Sequence, residues 1–194
     1  MTRPINHANS VPMRERIITA VGDIFYRNGT YLVGVDKIVN DLHITRATLY
    51  RHFQGKEDLV VSYLKHRHDM VSAQIERTAS GKTGTDAILA IFEGLAEKTG
   101  NEAFRGCAFL IAVTENPVSH AIHEVARTHK KFLHEFFDRL LPGQPELSEQ
   151  LLILYEGVLS ASVLRPEAQP ARTAKKLVEQ LLQAETGSSS RGTA

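Results

Sequence analysis

Residues 34–56 read Gly34-Val35-Asp36-Lys37-Ile38-Val39-Asn40-Asp41-Leu42-His43-Ile44-Thr45-Arg46-Ala47-Thr48-Leu49-Tyr50-Arg51-His52-Phe53-Gln54-Gly55-Lys56. The second half decides the fold. Thr45 has the hydroxyl that suits a helix N-cap, and Leu49 and Phe53 are four apart, so a short helix starting here has one apolar side. Its other side carries Arg46, Thr48, Tyr50, Arg51 and His52. That is more hydrogen-bonding capacity than a solvated helix needs, and of the kind that reaches bases and phosphates. Upstream, Val35, Ile38, Val39 and Leu42 fit a short amphipathic helix, and His43-Ile44 leaves room only for a tight turn. Two short helices around such a turn are a helix-turn-helix.

The run Thr-x-x-x-Leu-Tyr-x-His-Phe from Thr45 to Phe53, followed by Gly55-Lys56-Glu57-x-Leu59, resembles the TetR/AcrR family of transcriptional regulators. The similarity covers roughly Ile17 to Leu64. It implies an all-α protein with an N-terminal three-helix, helix-turn-helix DNA-binding domain at 1–55. A helical effector-binding and dimerisation domain would occupy 56–186, ahead of a disordered tail at 187–194. By the same resemblance Arg46 stands where the family often reads a base or holds a phosphate, and its fork suits guanine O6 and N7. Ala47 and Thr48 bring methyl groups for thymine, and Thr45 opens the helix. Tyr50 and His52 match backbone-holding positions, Arg51 a variable one suited to setting specificity, and Lys56 the phosphate-holding lysine at a helix N-terminus. Lys37 is a helper. Gly34 departs from the Ser or Thr usual there, so the phosphate contact implied at that position is lost or left to its backbone N–H, and Asp36, an acid near the duplex, is not expected to contact phosphate.

The whole chain of 194 residues carries a net charge of +1, which hides an asymmetry. Residues 1–56 hold eight Lys or Arg against four acids, a net of +4, and the rest hold fifteen against eighteen, a net of −3. A basic head on a mildly acidic body suits a protein whose head alone meets phosphates. There is no run of 18 apolar residues, and the polar start Met1–Ser10 lacks a signal-like apolar core, so a cytoplasmic protein with no membrane partner is expected. The lone Cys107 fits a reducing compartment.

Punctuation orders the remainder into about nine helices. Helix one, after Ser10 and Pro12, shares Ile17, Val21, Ile24 and Phe25 on one face and closes at Asn28-Gly29; Met1–Val11 ahead of it is expected to be a mobile tail. A long linking helix is expected from Lys56 to Arg77 with Leu59, Tyr63, Met70 and Ile75 inward. In the loop Ser80–Gly84, Gly81-Lys82-Thr83 mimics a phosphate loop, but Glu76 stands where its first glycine belongs. Helix five is expected to be capped by Thr85. The apolar run Phe104–Val113 is expected to be buried, and Ser119 opens a helix stopped by Pro142-Gly143. Two helices, Leu147–Leu164 and Arg172 to about Glu185, close the chain.

For the body, the resemblance implies a small-molecule pocket and a homodimer built on the last two helices. Expected pocket residues are Phe92, Cys107, Phe109, Val113, Phe132, Phe136 and Tyr155, although an aromatic stripe at helical spacing is also what any bundle buries. Leu151, Leu154, Tyr155, Val158, Ser162, Leu177 and Leu181 are expected at the dimer seam.

The expected function is a sequence-specific regulator, a repressor released from a pseudo-palindromic operator of double-stranded DNA by a small molecule. An activator, an architectural DNA-binding protein and a redox-responsive regulator acting through Cys107 are the competing readings. Cys107 follows Arg105-Gly106, which would favour a thiolate, but it precedes an apolar run where a cysteine is ordinarily a small hydrophobe. His120 and His123, with His129 and His134 further on, lack the cysteine cluster of a zinc site, so no metal and no cofactor is expected. No Gly-x-Ser-x-Gly elbow, His-Glu-x-x-His or dinucleotide fingerprint is present, which argues against an enzyme.

Overall fold

A computed structural model of the chain describes residues 11–165 and 168–189, with side chains through Ala184. The described residues form nine helices and no strand: α1 (Met13–Asn28), α2 (Val35–Asp41), α3 (Arg46–His52), α4 (Lys56–Ala79), α5 (Gly84–Thr99), α6 (Ala108–Glu115), α7 (His120–Leu140), α8 (Pro145–Leu164) and α9 (Gln169–Ser189). The all-α expectation holds. Residues 1–10 of the expected N-terminal tail lie outside the described residues. Residues 187–189, expected in the C-terminal tail, are helical in α9; 190–194 lie outside.

Two apolar cores form. The first joins Ile17, Val21 and Phe25 of α1, Ile38 of α2, Leu49 of α3, Phe53 and the start of α4 (Leu59, Val60, Tyr63, Leu64). It also takes in Ala108, Phe109 and Ala112 of α6 and Ile122 and Ala126 of α7, so the head is packed directly onto two body helices. The second core gathers Ile75 of α4 with α5, the C-terminal half of α7, α8 and α9. The long α4 thus contributes to both.

Local chemistry sets the helix ends. Thr45, Thr83 and Ser119 cap α3, α5 and α7 by accepting hydrogen bonds from the N–H groups of Thr48, Asp86 and Ile122. The α5 cap is therefore Thr83 and not Thr85, because the chain is already helical at Gly84. Gly29, at φ +83°, turns the chain out of α1 where a side chain would be strained.

Burial corrects several expectations. Met70 is 53% exposed, since the inward stripe of α4 passes through Val71 and Ile75 instead. Leu110 is likewise 53% exposed on the outer side of α6. On α8 the inward stripe is Leu147, Leu151, Tyr155, Val158 and Ser162, all buried in the chain's own fold. Four residues expected at a seam between copies (Leu151, Tyr155, Val158 and Ser162) are therefore interior. The outer side of the same helix carries Ile153, Gly157, Ser160 and Val163. By length and apolarity α8 alone among the described helices could cross a bilayer. Its inner stripe is already packed against α5, α7 and α9, as in the core helix of a bundle.

Candidate nucleic-acid interface and body cavities

The reading helix is held by its apolar side. Leu49 and Phe53 are each 2% exposed, anchoring α3 on the head core, with the Arg14 guanidinium 5.0 Å above the Phe53 ring. Burying two such side chains contributes about 1.5–3 kcal/mol each. Arg46, Ala47, Tyr50 and Arg51 are left exposed, with Thr48 and His52 half-buried. All the residues expected at DNA on α3 therefore lie on one short helix. Thr45 and Thr48 share a hydroxyl contact of 3.0 Å as part of the cap.

Arg46 is not a free arm. Its Nε donates to Asp36 Oδ1 at 2.9 Å and its Nη2 to the same oxygen, tying the first residue of α3 to α2. That hydrogen bond and the carboxylate's charge raise the already high pKa of Arg46. Lys37 is paired with Asp41 at 2.7 Å on the exposed face of α2. Lys56, half-buried at the start of α4, donates to the backbone oxygen of Tyr31 at 2.7 Å, and its ammonium sits 5.9 Å from the Tyr31 ring. Desolvation lowers the Lys56 pKa, with the Glu115 carboxylate working against it. Tyr31 and Leu32 are largely exposed beside this lysine. Nothing in the local sequence singles them out, because the contact spans 25 residues.

The head is also pinned to the body. Glu115, ending α6, accepts hydrogen bonds at Oε2 from the Thr30 N–H at 2.5 Å, the Thr30 hydroxyl at 2.7 Å and the Tyr31 N–H at 3.1 Å. Asn116 adds a donor to the same hydroxyl. On the other side, the Ser119 hydroxyl donates to Glu57 of α4. The Tyr26 hydroxyl donates to Gly106 O at 3.0 Å and accepts from the Arg105 N–H at 3.0 Å.

The residues expected at one pocket are spread over several places. Phe92 is fully buried in the second core, and Phe132 packs against that core. Cys107, Phe109 and Val113 line an open groove of about 910 Å³ between α6, α7 and α8. Tyr155 lines a separate cleft of about 530 Å³ between α4, α5 and α8. Phe136 borders a third, near Glu76 and Arg139. His129 on α7 is buried: it is stacked on Phe109 at 3.8 Å, with His68 Nδ1 at 3.1 Å from its own Nδ1. Burial, then the charges of His68, Lys130, Lys98 and Arg67, push its pKa down to about 3. Among the described residues no group of three or more His, Cys, Asp or Glu is placed to hold a metal.

A three-helix head that buries one side of α3 and exposes a polar reading side is a helix-turn-helix DNA-binding unit, here mounted on a helical body. Residues 17–63 match the bacterial regulatory proteins of the tetR family. SCO4454, a TetR-family transcriptional regulator from Streptomyces coelicolor, is 31% identical and superposes with a TM-score of 0.82 over 88% of each chain. The HTH-type transcriptional regulator YjdC of Escherichia coli (strain K12) is 27% identical over 142 residues, covering 69% of this chain and 74% of that protein. A TetR regulator from Chloroflexus aurantiacus shares the fold at 18% identity, with a TM-score of 0.77 over 88% of this chain and 93% of that one. The chain belongs to the TetR family and is a DNA-binding transcriptional regulator of the helix-turn-helix type.

Proposed function

We propose that the protein is a cytoplasmic repressor. As a homodimer it binds a pseudo-palindromic operator and is released when a small molecule enters its body. The observation that carries the DNA part is the division of α3, with Leu49 and Phe53 in the core and Arg46, Ala47, Tyr50 and Arg51 outside. In this reading residues 1–55 form the reading domain and 56–186 the effector and dimerisation domain. Arg46 and Arg51 read bases, Thr48, Tyr50 and His52 hold the duplex, and Lys56 holds a phosphate. Two heads in successive major grooves stand about 34 Å apart.

The release part is supported by the pins between body and head. Glu115, Asn116 and Ser119 belong to the α6–α7 region and touch the α1–α2 loop or α4. A ligand that prefers one placement of α6 then prefers one placement of the head, which is the differential affinity that coupling requires. For the dimer, the outer side of α8 supplies Ile153, Gly157, Ser160 and Val163, and α9 supplies the exposed Leu177. Small residues at Gly157 and Ser160 let a second helix approach closely.

Selecting bound duplexes from a random pool with the purified protein tests the DNA reading. An enriched motif with two-fold symmetry is the expected result. Binding without enrichment at moderate salt would leave only a non-specific, architectural DNA-binding protein.

A further inference from the structure

The two larger body cavities differ in how their charges are used. In the groove between α6, α7 and α8, Lys130 is paired with Glu156 at 2.8 Å and Arg127 with Glu124 at 2.9 Å. The exposed Leu110 and Ile153 line it, and Ile153 belongs to the side of α8 assigned above to a second copy. The cleft between α4, α5 and α8 is the reverse case. Three cations, Arg67, Arg77 and Lys98, line it against the single acid Glu97, a net of +2. Arg77 is tied to Gln74 at 2.8 Å. Lys98 is half-buried and, among the described residues, its ammonium has neither an ion pair nor a hydrogen-bond partner. Arg67 is half-buried too; among the described residues its guanidinium has no ion pair or hydrogen-bond acceptor and lies over the face of the Tyr26 ring at 4.7 Å. The buried Tyr155 has no hydrogen-bond partner for its hydroxyl among the described residues.

Three donors with no acceptor therefore border one cleft whose other walls include Val71, Ile75, Ile91 and Leu95. Burial and the neighbouring Arg67 charge lower the Lys98 pKa, so an anion arriving here relieves a standing cost. An apolar molecule alone would dry the walls and strand the donors; a small hydrophilic anion would leave the walls unused.

We propose that this cleft binds an amphipathic organic carboxylate, its acid group held by Arg67, Lys98 and Tyr155 and its apolar part lying along Ile75, Ile91 and Leu95. The assignment rests on the reading above that the body takes a small-molecule effector, and it chooses both the cavity and the ligand chemistry. Arg67 also gives the site a line to the head. Its guanidinium covers Tyr26 of α1, whose hydroxyl is bonded to the Arg105–Gly106 loop ahead of α6.

Calorimetric titration of the full chain without DNA tests the site, with octanoate, decanoate and 1-naphthoate as probes against the corresponding alcohols. At least one acid is expected to bind about 10-fold or more tightly than its alcohol. Lys98→Met should remove that difference and Lys98→Arg should keep it. No binding by any of the acids, or equal binding by acid and alcohol in the unmodified chain, overturns the proposal whether or not the variants fold. Displacement of a selected operator duplex by the same acids is a separate arm. Binding without displacement leaves the carboxylate site standing and removes the release mechanism. Displacement that is unchanged in a folded Lys98→Met chain removes the site and leaves the release mechanism.

Discussion

The carboxylate of Glu115 holds the backbone N–H and the hydroxyl of Thr30, 85 residues earlier in the chain, so the last residue of α6 closes the loop between α1 and α2. Thr30 is 2% exposed, and without this acceptor its N–H would be a buried donor with nothing to replace water. Glu115→Ala should therefore cost about 1–3 kcal/mol in urea unfolding. It should also weaken operator binding, because the α1–α2 loop carries the Tyr31 oxygen that steadies Lys56. Unchanged stability and unchanged DNA affinity together would refute the strut. Gly29→Ala attacks the same place from the other side. A Cβ there would come within 2.3 Å of Glu115 Oε1, at a backbone φ of +83° that disfavours side chains.

Arg46 and Asp36 make the matching test at the DNA face. The exposed carboxylate orients a guanidinium whose five donors would otherwise sample many directions. Arg46→Ala should weaken specific binding by about 10-fold or more and binding to random duplex much less. Asp36→Ala frees the same arm and removes an acid from the surface, so non-specific affinity should rise while discrimination falls. Lys56→Ala should lower both affinities and reduce the slope of log K against log salt by about 1. Competition titrations over a salt series separate the three. Equal losses on both duplexes for Arg46→Ala would end its base-reading role.

His129 gives a pH dependence of definite sign. The folded pKa is depressed to about 3, chiefly by burial, so the folded chain keeps this imidazole neutral where the unfolded chain protonates it. The unfolded state binds more protons between about pH 6.5 and pH 3. Stability from this group is fully present above about pH 6.5 and is lost as pH falls through that window, at up to about 1.4 kcal/mol per pH unit. His129→Phe, which keeps a ring against Phe109, should flatten the slope. A urea-midpoint series from pH 7.5 to 4.5 that is equally steep in both chains would assign the acid sensitivity elsewhere.

What could be read in the sequence was local. The Thr45 and Ser119 caps act on N–H groups three residues away, so the motif and its bond lie in the same few letters. The reading helix was legible because only one of its sides is apolar. On α8 that contrast is missing: Leu151 and Ile153 are both aliphatic, and periodicity defines a stripe without saying which stripe faces in. The resemblance implies a seam on this helix without saying which stripe forms it, and the stripe holding Leu151, Tyr155, Val158 and Ser162 is the interior one. Met70 reads as inward for a similar reason: it is an apolar residue on a long helix with no local sign of what packs against it. Glu115 with Thr30 and Lys98 with Arg67 were out of reach, since such pairs are made by tertiary packing across many residues. Lysines on amphipathic helices ordinarily lie in solvent; only the fold shows that Lys98 is half-buried in a cleft.

The two sides of α8 should separate stability from assembly. Leu151 is fully buried, and Leu151→Ala leaves a cavity inside one chain, at a cost of about 2–5 kcal/mol in unfolding. Ile153, only two residues on, is 60% exposed and lines the open groove between α6, α7 and α8. Ile153→Arg should leave the unfolding of the single chain nearly unchanged but place two like charges across a two-fold seam. Sedimentation velocity should then show a monomer, and cooperative binding to a two-fold operator should vanish. Single half-sites would still be read, weakly, because each head keeps its own α3. A dimer that survives both Ile153→Arg and Ser160→Arg would place the interface away from this side of α8. In that case the exposed aliphatic residues of the α8 groove, Leu110 and Val163 among them, would need another cover.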